Sequence, residues 1–195
     1  MIDIHNFARW DGGIIGQGGP TDAQFVDLWT QLTTKYADNP FVIFELMNEP
    51  HDLDLTLWAD TCQKAVNAIR ATETASHIIM LPGLNFSSAG TFIASGWGAA
   101  MAGITNPDKS TTNLLLDLHK YLDIDNSGDH TTCVMDNVAD TFDPVAAWLR
   151  KNKRQAMLTE TGAGASSSVS LSIPASAAAT DLSSASPISV PRTTR

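Results

Sequence analysis

The stretch Phe41-Val-Ile-Phe-Glu-Leu-Met-Asn-Glu-Pro50 decides how the chain folds. Residues 41–47 read as a short, mostly apolar strand, and Asn48-Glu49-Pro50 ends it, because the residue before a proline is pushed away from helix. Four more runs read the same way, at residues 2–4, 77–81, 114–118 and 156–158. Each is apolar throughout rather than at every second position, which is the pattern of strands covered on both faces.

Helical stretches separate most of these strands. Thr21 is placed to cap one, with Gln24 at the capping-box spacing. Phe25, Leu28, Trp29, Leu32 and Tyr36 then fall on a single face. Trp58, Cys62, Ala65, Val66 and Ile69 repeat the period, and Asp143 is read as the cap of a third helix with Pro144 in its first position. The connection between Leu81 and Leu114 is loop-rich and gives no helix boundary. Buried strands alternating with crossover helices imply an α/β fold with a parallel sheet. His5-Asn6, Asn48-Glu49, Gly83 to Asn85, His119 to Tyr121 and Glu160-Thr161 all follow strands. Polar groups gathered at carboxyl ends in this way build the active face of a (β/α)8 barrel. A doubly wound open sheet is the alternative, although the phosphate-binding glycine turn that it would usually carry after its first strand is missing.

Composition bounds the function. The 195 residues carry 12 Lys+Arg against 21 Asp+Glu, a formal charge of −9, with no basic patch for nucleic acid or anionic lipid. No apolar run is long enough to span a membrane, and two cysteines are too few for a disulfide scaffold or a four-ligand zinc site. Past residue 162 the chain changes character. From Ala165 to Arg195, 22 of 31 residues are Ser, Ala, Thr or Pro, with no aromatic side chain. We expect residues 163–195 to be a disordered tail and residues 1–162 to hold the function.

Glu49 and Glu160, each at a strand end, form the pair of carboxylic acids that glycoside hydrolysis requires. One protonates the leaving oxygen while the other, ionised, attacks or activates water. Asn48 is placed to reach a sugar hydroxyl, and His5, His119 and Tyr121 supply donors that orient the nucleophile. Trp10, Phe86 and Trp97 are read as loop aromatics that stack on sugar rings. The segment Asp123-Ile-Asp-Asn-Ser-Gly128 looks like the start of a calcium loop, but Val134 stands where the bidentate acid belongs. The expected partner is a neutral polysaccharide bound by a monomer.

Five segments together carry a resemblance: Asp3-Ile-His-Asn-Phe-Ala-Arg-Trp10, Gly12-Gly-Ile-Ile-Gly-Gln-Gly-Gly-Pro20, Met47-Asn-Glu-Pro-His51, Asp117-Leu-His-Lys-Tyr-Leu-Asp123 and Leu158-Thr-Glu-Thr-Gly162. They resemble fungal family 5 glycoside hydrolases of the secreted endo-β-1,4-glucanase (cellulase) type. That resemblance implies Glu49 as acid/base, Glu160 as nucleophile and Asn48 at the sugar 2-hydroxyl, with His5, His119 and Tyr121 in support. It also implies a retaining mechanism with neither a metal nor an organic cofactor, and an extracellular site of action. Residues 1–162 then correspond to strands 3 to 7 of the family barrel. The family's Arg-bearing second strand and Trp-bearing eighth strand have no counterpart, so the chain reads as a fragment. A β-mannanase, another β-glucanase, or an inactive remnant that binds sugar are the alternatives.

Overall fold

The computed structural model describes residues 1–72, 76–133 and 138–163. The expected tail therefore lies outside the described residues from position 164 onward. Among the described residues seven strands occur in chain order: β1 (Ile2–Asp3), β2 (Arg9–Trp10), β3 (Gly13–Ile14), β4 (Phe44–Glu45), β5 (Ile79–Leu81), β6 (Leu114–Tyr121) and β7 (Gln155–Gly162). Four α-helices accompany them: α1 (Asp22–Lys35), α2 (Leu55–Ala71), α3 (Trp97–Ala102) and α4 (Asp143–Asn152). Strands β1, β4, β5, β6 and β7 pair side by side in that order, all parallel. This curled sheet, with helices in the crossovers, is a segment of a (β/α)8 barrel. The doubly wound alternative is set aside. The chain also forms a small antiparallel ribbon of β2 and β3, which periodicity did not suggest.

Residues that read as apolar faces do the packing. On α1, Phe25 and Trp29 are buried, and the Trp29 indole donates to the Leu46 carbonyl at 3.2 Å while meeting Phe44 edge-on. On α2, the Trp58 indole donates to the Pro82 carbonyl at 3.2 Å. Each indole pins a helix to the end of a strand, where burying a large ring and satisfying its N–H happen together. Cys62 is buried on the apolar face of α2, and no disulfide joins it to Cys133.

Two helix boundaries differ in outcome. The Thr21 capping box forms, with side chain and backbone bonded reciprocally to Gln24. The expected cap at Asp143 is corrected. A single π-helical turn, Val138–Phe142, runs into α4, Phe142 occupies the cap position, and Asp143 is already helical.

The sheet orders the site end by register. Asp117, His119 and Tyr121 alternate along β6 and so share one face. On β7 the pairing jumps from Leu118↔Leu158 to His119↔Glu160, leaving Thr159 as the extra residue of a bulge. Without that bulge Thr159 would stand opposite His119. The insertion turns Glu160 onto the His119 face, a recurrent use of bulges beside active sites.

Candidate active site

Glu49 follows β4 in a left-handed backbone conformation, φ 49°, directly before Pro50. A non-glycine residue held there costs about 1–3 kcal/mol, so its surroundings must impose the shape. They do so from both sides. The Asn48 amide donates to the Ile4 carbonyl at 2.9 Å, and the Phe86 amide donates to the Pro50 carbonyl at 3.1 Å. Glu49 is thereby stapled between β1 and the turn after β5.

The structure brings together most of the residues read from the sequence. His119 Nδ1 stands 2.8 Å from Glu49 Oε1 and 3.5 Å from Glu160 Oε2. One carboxylate oxygen from each glutamate, together with a His119 nitrogen, lie within 4.8 Å of one another. The Tyr121 hydroxyl donates to Glu160 Oε1. Burial, together with that bond and the Glu160 charge, pushes the phenol upward, so it remains a donor. Its ring is wedged by two glycines, since a Cβ on Gly128 or Gly162 would fall 2.6 or 2.8 Å from the ring edge.

His5 and Asn48 form a second pair. His5 Nδ1 faces Asp3 Oδ2 at 3.0 Å, and a carboxylate only accepts, so Nδ1 carries the proton. His5 Nε2 then accepts from the buried Asn48 side-chain amide at 3.2 Å. Asn48 is thus oriented through His5, which is itself exposed.

The aromatic expectations divide. Trp10 is 71% exposed on the β2–β3 ribbon, and Arg9 ties that ribbon to the His51 carbonyl beyond Glu49. Phe86 is partly exposed and stacks on His51 with centroids 4.4 Å apart. Trp97 is corrected. It begins α3, is 0% exposed, packs edge-on against Phe92 and donates its indole N–H to the Ser88 carbonyl. A ring so enclosed offers no face to a sugar.

Sequence reasoning missed a buried acidic layer beneath the pair. Asp3, Glu45 and Asp117 come from β1, β4 and β6, and Glu45 and Asp117 are buried. Burial first, and then the charges of Asp117 and Asp3, push the Glu45 carboxyl up to about 8. The signal was present as single acids inside apolar strands, Phe44-Glu45-Leu46 and Leu116-Asp117-Leu118. Phe7 and His51 were missed as well, and they extend a row of ring contacts from His5 to Phe86.

Among the described residues three histidine–carboxylate groups have donor atoms close enough to share a cation: Glu45/Asp117/His119, Glu49/His119/Glu160 and Asp123/Asp125/His130. In each, the imidazole already faces the carboxylates. The Asp123 group organises its own loop, with Oδ2 accepting from Ser127, Gly128 and His130.

A parallel barrel segment with paired glutamates at its strand ends defines a class, the (β/α)8 barrels that work through strand-end acids. Within that class the chain belongs to the cellulases of glycosyl hydrolase family 5, whose family model matches residues 1–188. The chain is 57% identical over 162 residues to endoglucanase EG-II of Hypocrea jecorina, covering 83% of this chain and 39% of the relative. It superposes on the crystal structure of Cel5A (EG2) from Hypocrea jecorina with TM-score 0.82 and 58% identity, covering 84% of this chain and 50% of that one. XacCel5A in complex with cellopentaose gives TM-score 0.76 at 30% identity, over 85% of this chain and 53% of that one. The chain thus spans about two-fifths of the length of this curated relative.

Proposed function

We propose that residues 1–162 supply the catalytic face of a retaining endo-β-1,4-glucanase, with Glu49 as acid/base and Glu160 as nucleophile. One observation carries the reading: one oxygen of Glu49 and one of Glu160 lie within 4.8 Å of each other beside His119. Retaining pairs lie about 5–5.5 Å apart, whereas inverting pairs leave about 6.5–9.5 Å for a water molecule. The family and the endoglucanase relatives support a glucan as substrate.

In the first step Glu160 attacks the anomeric carbon and the glycosidic C–O bond breaks, while Glu49 gives its proton to the departing oxygen. In the second step Glu49 takes a proton from water, the water oxygen attacks the same carbon, and Glu160 leaves as a carboxylate. Tyr121 and His119 orient and stabilise the Glu160 anion, and Asn48, held by His5, meets the sugar 2-hydroxyl. Trp10 and Phe86 are the stacking surfaces. A polymer of this kind does not enter cells, so the reading includes an extracellular site of action.

A second reading is favoured by the sheet, whose outer strands β1 and β7 have no further partner among the described residues. In that reading the chain binds glucan without cleaving it. Initial rates on carboxymethyl cellulose and mannan decide between them. Glucan hydrolysis that falls about 10²–10⁴-fold in Glu49→Gln and in Glu160→Gln supports the proposal. Full turnover in either variant contradicts the roles, and faster cleavage of mannan changes the substrate. Cello-oligosaccharide binding without turnover establishes the second reading.

A further inference from the structure

We infer that Asp117 is a positioning residue that holds His119 as an imidazolium between Glu49 and Glu160. The role rests on the reading of those two glutamates as the catalytic pair. The charge state does not, because it follows from what each ring nitrogen faces.

His119 is buried on β6. Its Nδ1 points at Glu49 Oε1, 2.8 Å away, and at Glu160 Oε2, 3.5 Å away. Its Nε2 points the other way, at Asp117 Oδ2, 3.3 Å away. Carboxylates accept and do not donate unless protonated, so even while Glu49 holds its proton an imidazole between the Glu160 and Asp117 carboxylates is satisfied only when both nitrogens carry hydrogen. A neutral ring would turn a bare nitrogen lone pair toward one of them.

Asp117 is the member best placed to enforce this. It is fully buried, and its other oxygen accepts from the Thr159 hydroxyl on the bulge. Its Oδ2 has no hydrogen-bond partner within ordinary geometry, and it faces the His119 Nε2 at 3.3 Å with the Glu45 carboxyl beside it. A charge buried there is costly unless a cation pairs with it. The acids around the ring point to the same state. Asp117 reaches it from β6, Glu49 from the segment after β4 and Glu160 from β7, with the Glu45 carboxyl of β4 within 4.8 Å and the Asp3 charge acting from β1. From the turn after β5 comes a backbone carbonyl, Ser87, which accepts the His119 amide. Burial alone pushes the imidazole down, but the close approach of Asp117, the bond to Glu49 and the charge of Glu160 push it up to about 10.

The consequence for chemistry is electrostatic. Two carboxylates this close repel one another, and a cation between them offsets that repulsion without a metal ion. The same cation meets Glu160 as an anion before attack and Glu49 as an anion after it has given up its proton.

The test is nitrogen NMR of the imidazoles across a pH series, with His119 assigned by the signal lost in His119→Gln. In the wild-type chain both His119 nitrogens are expected to be protonated at neutral pH. In Asp117→Asn, where an amide replaces the charge, the titration midpoint should fall by about 1–3 units. A purely structural Asp117 would leave that midpoint in place. One bare nitrogen in the wild type at neutral pH overturns the inference, as does an unmoved midpoint in Asp117→Asn. If the variant does not fold, the wild-type spectrum decides alone. No sugar enters this experiment, so failure to cleave glucan would sink the proposed function and leave the charge state standing.

Discussion

Glu45 lies in β4 between Phe44 and Leu46, shut off from water, with Asp3 and Asp117 as its acidic neighbours. Its carboxyl is pushed up to about 8, so the folded protein keeps a proton that the unfolded chain gives up near its ordinary value of 4.5. Between those two values the native state binds more protons than the unfolded state, and stability falls as pH rises. His119 acts in the same direction higher up, from 6.5 toward about 10. We therefore expect urea midpoints of the wild-type chain to fall from about pH 5 to about pH 8. Glu45→Gln keeps the neutral shape and removes the titration, so its midpoint should fall less across that interval. Parallel pH profiles in the two proteins would contradict the account. Glu49 and Glu160 were legible because each follows an apolar run and sits in a motif. Asp3, Glu45 and Asp117 were not, because a lone acid inside an apolar run looks like an ordinary strand residue until neighbouring strands bring three together. Trp97 was misread for a related reason. Nothing in Gly96-Trp97-Gly98 says whether the ring faces solvent or Phe92.

At the scale of elements, what could be read was what has a period. Strands buried on both faces leave continuous apolar runs, and α1 and α2 are long enough for their stripes to repeat. Helix α3, Trp97–Ala102, is too short to show a stripe, and the β2–β3 ribbon has two residues per strand. The strand ends also ran further than expected, since β6 continues to Tyr121 and β7 to Gly162. The two helix starts make a paired prediction. Thr21→Ala removes a formed capping box and should cost about 1 kcal/mol. Asp143→Ala removes no cap, because the π-helical turn carries the chain into α4, and should stay within about 0.5 kcal/mol. Denaturant midpoints of the two variants check this, and equal losses would show that Asp143 does cap the helix.

Over the whole molecule, the parallel order β1-β4-β5-β6-β7 puts the polar ends of five strands at one rim. That order was legible, because successive βα units place successive strands side by side. The bulge at Thr159 was not, since it depends on pairing with β6 and leaves no mark in the β7 sequence. Yet the bulge is what aims Glu160 at His119 and Tyr121. We propose that this aim makes Glu160 a nucleophile. It is tested most directly with a cellobioside that carries fluorine in place of the 2-hydroxyl and a dinitrophenolate leaving group. Fluorine slows both steps and the good leaving group restores the first, so a glycosyl-enzyme accumulates. Mass spectrometry of the digested protein should find the sugar ester on Glu160, and Glu160→Gln should remain unlabelled. A label on Glu49 or elsewhere, or no label on the wild-type chain, would contradict the account.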